Sequence, residues 1–229
     1  MKRTIAAALA MTLPACSGSG VLSPSSASPQ VRPANIDVLD YLVGDQSLWP
    51  RVGSFSQNQV VDPARHEVCW VKYANPKRFE CWTWDDQYVY HEVDHAIDGD
   101  LPDSYHFTDG RWMPRFLSSD WQLDVSGNRI VWFDGNCQVT PSRSGLFPYR
   151  QRVSLAGVRD TGTDLGVRDV LLLEYQPYDP VGAAGELEQF YFARGAGWYE
   201  WDRGSAHIVF SRAGGPTVLP RRDVICPAD

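Results

Sequence analysis

Past residue 34, apolar residues mostly alternate with polar ones or gather in short runs of four to eight, bounded by Gly, Asn, Asp and Pro. That is the period of strands rather than helices. One stretch departs from it. In "DVLDYLVGDQSLWP", Val38, Leu39, Leu42 and Val43 share a helical face and Gly44 supplies a stop, which predicts one short N-terminal helix.

Turn chemistry divides the rest. "YHFTDGRWMPRFL" carries Asp109-Gly110 between two strand-like halves, and "WQLDVSGNRIVWF" carries Ser126-Gly127-Asn128, so both read as hairpins. "RDVLLLEYQ" is a continuous apolar run suited to a central strand, and "ELEQFYFARGAGWYEWDRGSAHIVFSR" supplies three further strands separated by Gly-containing turns. The predicted fold class is all-β and antiparallel, a sandwich, barrel or strongly curved sheet of about ten strands. No repeat at the period of a propeller or solenoid stands out.

Composition adds bounds to this picture. The chain has 229 residues, 43% hydrophobic and 21% charged, which suits a single β domain over residues 34–229. The formal charge is −7, and removal of Lys2 and Arg3 with a leader leaves 19 basic against 28 acidic side chains, or −9. Nucleic acid is excluded as a natural partner by that balance.

The N-terminus reads "MKRTIAAALAMTLPAC". Lys2 and Arg3 precede a short apolar stretch and small residues, the pattern of a secretory signal over residues 1–15. Leu13-Pro14-Ala15-Cys16 resembles the bacterial lipoprotein cleavage box, and the resemblance implies cleavage before Cys16 and a lipid on its thiol, so that the partner of the N-terminus is a membrane. Residue 17 is Ser rather than Asp, which by resemblance to Gram-negative lipoproteins implies the outer membrane. Residues 16–33 continue in Ser, Gly, Pro and Ala, a composition that cannot bury enough apolar surface to order itself and reads as a flexible tether.

Lipidation of Cys16 would leave Cys69, Cys81, Cys137 and Cys226, an even set suited to two disulfides in an oxidising compartment. Three connectivities exist for four cysteines. In "CWVKYANPKRFEC" a hairpin centred on Asn75 would set Cys69 opposite Cys81, within bonding reach, and leave Cys137 for Cys226. No C-x-x-C spacing supports a zinc site built from these residues.

One pentapeptide spells a reaction. His91-Glu92-Val93-Asp94-His95 matches H-E-x-x-H, in which two imidazoles one helical turn apart converge on zinc and the Glu polarises bound water. The motif needs a helix. Here "CWTWDDQYVYHEV" precedes it with aromatic and β-branched residues on alternating parity, and Gly99 and Pro102 follow closely. A strand is expected, with His91 and His95 on one side but ~13 Å apart and Glu92 on the other. A zinc-dependent hydrolase using His91, Glu92 and His95 is therefore the alternative reading, and no catalytic residue, cofactor or metal site is assigned.

Other clusters carry weaker chemistry. Asp94, Asp98, Asp100 and Asp103 surround Gly99 in an oxygen-rich stretch that reads as a solvated acidic turn, with calcium as the other occupant. Glu200 with Asp202, and Glu186 with Glu188, form carboxylate pairs on single strand faces, positions that ordinarily face solvent. Trp82, Trp84, Trp198 and Trp201 are candidates for stacking against sugar rings, although strand aromatics more often pack in a core.

"GVRDVLLLEYQPYDP" with "EQFYFARGAGWYEWDR", and "DGRWMPRFL", are similar to segments of poorly characterised secreted and lipid-anchored bacterial β proteins. The resemblance covers about a third of the chain and implies no catalytic residues. Gly195 and Gly197 would then serve a tight turn at positive φ. The function expected is a non-catalytic binding or structural role in the cell envelope or periplasm, toward a glycan or another envelope component.

Overall fold

The hairpin at Asn75 sets the pattern of the whole molecule, because the strands it joins are covered on both faces. In the computed structural model, β2 (Phe55–Asp62), β3 (Glu67–Lys72), β4 (Phe79–Trp84) and β5 (Tyr88–His95) run antiparallel in sequence order. Every residue of β3 is buried. The structure describes residues 35–95, 104–107, 110–125, 129–141, 144–179 and 181–226, all within one compact unit, Pro33–Asp229. The leader, Cys16 and the tether lie outside the described residues, as do the turn residues Asp109 and Ser126-Gly127-Asn128.

Further along come β6 (Ser104–Phe107), β7 (Arg111–Pro114), β9 (Trp121–Val125), β10 (Arg129–Phe133) and β11 (Gly145–Leu146), then the long pair β12 (Tyr149–Asp160) and β13 (Val167–Pro177). They are followed by β14 (Glu188–Ala193), β15 (Gly197–Asp202) and β16 (His207–Arg212). All belong to one sheet of fourteen strands, ordered β11-β10-β6-β5-β4-β3-β2-β16-β15-β14-β13-β12-β9, with β7 paired to β5 off that path. A small ribbon pairs β1 (Ile36–Asp37) with β8 (Phe116–Leu117). The predicted helix is present as α1 (Leu39–Leu42). No described helix is long and apolar enough to cross a membrane.

The fold is all-β, as expected, but departs from the expectation in detail. The sheet is mixed, since β16 runs parallel to β2, and it is not closed into a barrel. Sixteen strands are described rather than about ten, and three of them, β1, β8 and β11, are two residues long, too short for alternation to reveal. Among the described residues, the strands flanking the two Gly-containing turns do not pair with each other. β6 pairs with β5 and β10 while β7 pairs with β5, and β9 and β10 stand near opposite ends of the strand order. Only residues 126–128 separate Val125 from Arg129, so those two ends approach within about 14 Å of each other.

The interior is aromatic. Trp82 on β4 touches the rings of Trp70 on β3, Trp112 on β7, Phe190 and Phe192 on β14 and Trp198 on β15. The two halves of the sheet thus share one core, and truncating Trp82 to Ala would cost about 3–5 kcal/mol. A second, smaller cluster of Cys69, Val71, Phe79, Cys81 and Val93 lies on the other face of β3, β4 and β5. The C-terminal segment covers it with Val218, Val224 and Ile225. Both disulfides form as expected: Cys69–Cys81 joins directly opposed residues of β3 and β4, and Cys137–Cys226 ties the C-terminal segment to the chain after β10.

Candidate functional site

The motif at residues 91–95 lies on β5, an extended strand, so the helical spacing that zinc chemistry needs is absent. Its two histidines do not even share a face. Val93 pairs with Cys81 and His91 with Trp82, so β5 carries one more residue than β4 between these partners, a β-bulge at Glu92. The bulge reverses the alternation. His91 packs among Trp82, Phe107 and Trp112 in the main core, whereas His95 stacks on Phe79 in the second cluster, 5.4 Å between ring centres. His95 lies there between two carbonyls, with Nδ1 2.7 Å from Lys77 O and Nε2 3.1 Å from Val224 O, and its N–H donates to one of them.

The same reversal brings Asp94 to the side of His91. Asp94 pairs with Glu80 in register, and Lys72 occupies the parity of Trp70 on β3, so four polar side chains meet within the main core. Lys72 Nζ lies 3.4 Å from Asp94 Oδ1 and 3.6 Å from Glu80 Oε2. His91 Nε2 is 3.3 Å from Glu80 Oε1, which also accepts a hydrogen bond from Trp82 Nε1 at 2.8 Å. All four are buried.

Electrostatics follow from that burial. Desolvation pushes the His91 pKa down to about 4, against the pull of Glu80 and with help from Lys72. The imidazole is therefore neutral across ordinary pH. For Lys72, desolvation by itself would favour the uncharged amine, but Asp94 and Glu80 outweigh it and hold the pKa above the ordinary lysine value. A buried ammonium facing two carboxylates is the paired arrangement that makes buried charge tolerable.

Glu80, His91 and Asp94 offer donor atoms within 4.8 Å of one another, a set that suits a divalent metal by chemistry. The ammonium of Lys72 occupies the cationic position between the carboxylates, so a metal would have to displace it. Glu67, Cys69 and Cys81 also lie close together, but both sulfurs are spent in the disulfide and Glu67 pairs with Arg222. Asp94 is a strand residue facing the core rather than part of an acidic turn, and Asp98, Asp100 and Asp103 lie outside the described residues.

The tryptophan candidates divide. Trp82 is 0% exposed and Trp198 4%, both sealed in the core because β4 and β15 are interior strands, so neither is open to a ligand. Trp84 and Trp201 are half-buried. Trp201 donates through Nε1 to Glu188 at 3.2 Å, and Glu186 pairs with Arg203 at 2.8 Å. Glu200 is buried and bound by His207 at 3.2 Å and Arg159 at 3.7 Å. These carboxylates are consumed by local pairs rather than set across a cleft.

Trp84 stands at a surface groove of about 630 Å³ lined by Leu39, Asp40, Val43, Val61, Pro63, Trp84, Arg194 and Gly195. Its walls come from α1, the end of β2, the end of β4 and the turn between β14 and β15. Gly44 allows this meeting, since a Cβ there would lie 2.0 Å from the Ala196 carbonyl carbon. The turn itself uses Gly195 and Gly197 at φ 72° and 89°, the positive values expected for them.

Sequence reasoning missed Lys72 and Glu80. The signal was available in parity: Lys72 follows Val68 and Trp70 on one face of β3, and Glu80 shares its face of β4 with Trp82. Comparison with protein-family models, curated proteins and solved structures finds no match for the chain.

Proposed function

We propose that the chain is a lipid-anchored protein of the bacterial cell envelope, held at the outer membrane through Cys16, with a non-catalytic binding or structural role toward a glycan or another envelope component. The observation that carries this reading is cysteine use. Cys69 with Cys81 and Cys137 with Cys226 account for every cysteine except Cys16, the residue at the cleavage box. Two structural disulfides suit an oxidising compartment reached by secretion. A strongly curved sheet, rather than two separate sheets, accounts best for the shared aromatic core and the nearby sheet ends.

Metabolic labelling with a palmitate analogue, followed by detergent-phase partitioning, tests the anchor. The native chain should label and enter the detergent phase, and Cys16→Ala should do neither. An unlabelled, freely soluble native chain would refute the reading.

A second reading, a buried metal site, rests on the close approach of Glu80, His91 and Asp94 and needs displacement of Lys72 from between the carboxylates. It requires stoichiometric metal in the purified full chain.

A further inference from the structure

Trp84 is the one residue of the four tryptophan candidates that lines the groove described above, and the groove is built rather than incidental. Gly195 N–H donates to Asp40 O at 2.7 Å, and Asp45 N–H donates to Gly195 O at 2.8 Å, locking the β14–β15 turn to α1. From beneath, Gln59 clamps the end of α1: its amide donates to Leu42 O at 3.0 Å and its carbonyl accepts from Gly44 N–H at 2.9 Å. Trp84 N–H donates to His66 O at 2.9 Å, and the His66 ring lies nearly parallel to the indole, 16° between planes. The walls therefore keep their shape without a ligand, and preformed walls reduce the ordering cost of binding.

Two kinds of surface meet in this groove. Leu39, Val43, Val61 and Trp84 supply a half-buried apolar lining. Above it, exposed Asp40 and Arg194 form an ion pair at 2.8 Å. The pair cancels its own charge, so an ionic ligand gains little, while its free lone pairs and N–H groups remain able to bind neutral hydroxyls. A pyranose ring presents the matching faces, C–H groups on one side and hydroxyls around the edge. An apolar peptide side chain would leave the ion pair unused, and an anionic ligand would approach a protein whose formal charge is −7.

Resting on the binding role proposed above, the geometry points to this groove as a carbohydrate site that takes a neutral hexose unit of an oligosaccharide, with Trp84 and the aliphatic lining against the ring and Asp40 and Arg194 at its hydroxyls. One ring on one indole binds weakly, with a Kd on the order of millimolar per sugar unit.

The test is calorimetric titration of the full mature chain, in a detergent without a sugar headgroup, with maltotetraose, cellotetraose, chitotetraose and isomaltotetraose. At least one should bind the native chain, with affinity at least tenfold lower in both Trp84→Ala and Arg194→Ala. Arg194 is exposed, so its replacement keeps the test valid if Trp84→Ala fails to fold. Binding to the native chain that survives both changes would overturn the groove as the site, and no binding of any of the four would overturn the ligand class. Neither result touches palmitate labelling or detergent partitioning, which report separately on the envelope anchor.

Discussion

Lys72 reaches from β3 past β4 to place its ammonium 3.4 Å from the Asp94 carboxylate on β5, inside a core otherwise made largely of aromatic rings. Glu80, on the strand between, lies 3.6 Å from the same nitrogen. Three strands are thereby tied by charge where side-chain packing alone would be expected. Lys72→Ala should destabilise the chain by about 3–5 kcal/mol, since two buried carboxylates lose their ammonium. The triple change Lys72→Met, Glu80→Gln, Asp94→Asn should cost clearly less than the sum of the single changes, as read from denaturant unfolding.

The ammonium also decides the response to metal. With Lys72 in place, zinc should leave the unfolding midpoint unchanged. In Lys72→Ala the donors Glu80, His91 and Asp94 remain without their resident cation, and zinc should raise the midpoint, an effect reversed by chelator. Stoichiometric zinc in the purified native chain would contradict this account.

Acid sensitivity should follow from His91. Its pKa falls from 6.5 to about 4 in the folded chain, so between those values only the unfolded chain takes up the proton. Stability therefore rises with pH across that window and is lost as pH falls from 6.5 towards 4, by at most about 3 kcal/mol. His91→Gln should remove this component of the slope, measured as unfolding free energy against pH.

The two disulfides should differ in weight. Cys69–Cys81 closes a separation of 12 residues and Cys137–Cys226 one of 89. On chain entropy the first contributes about 3 kcal/mol and the second between about 4 and 5 kcal/mol. Paired Cys→Ala replacements compared by thermal unfolding would check the order. Loss of Cys137–Cys226 should also loosen Val224 and Ile225 from Phe79, detectable as binding of a hydrophobic dye.

Gly44→Ala should destabilise by about 1–3 kcal/mol, because the new methyl meets the backbone of Ala196 rather than a side chain that can move. The same change should weaken any ligand held in the Trp84 groove, since it pushes α1 from the β14–β15 turn. Titration and thermal unfolding on one preparation would read both effects.

Much of this fold was legible. The Asn75 turn fixed the register that joins Cys69 to Cys81, and the alternating aromatics before residue 88 announced a strand where the motif suggested a helix. The bulge at Glu92 was not legible, because an extra residue in a strand leaves no compositional mark, and with it went the faces of His91, Asp94 and His95. Lys72 and Glu80 are concealed by the tendency of charged strand residues to face water. Trp82 and Trp198 were separated from Trp84 and Trp201 only by which strand positions the other half of the sheet covers, a long-range property.

The parallel junction of β16 with β2 joins the end of the folded chain to its beginning, through Phe210 with Phe55 and Arg212 with Gln57. A polypeptide made N-terminus first presents β2 long before β16, leaving one edge of the nascent sheet bare until the last strand arrives. Such an edge invites association with other chains. Closure of this seam would then come late in folding, after every antiparallel hairpin between the two strands is in place.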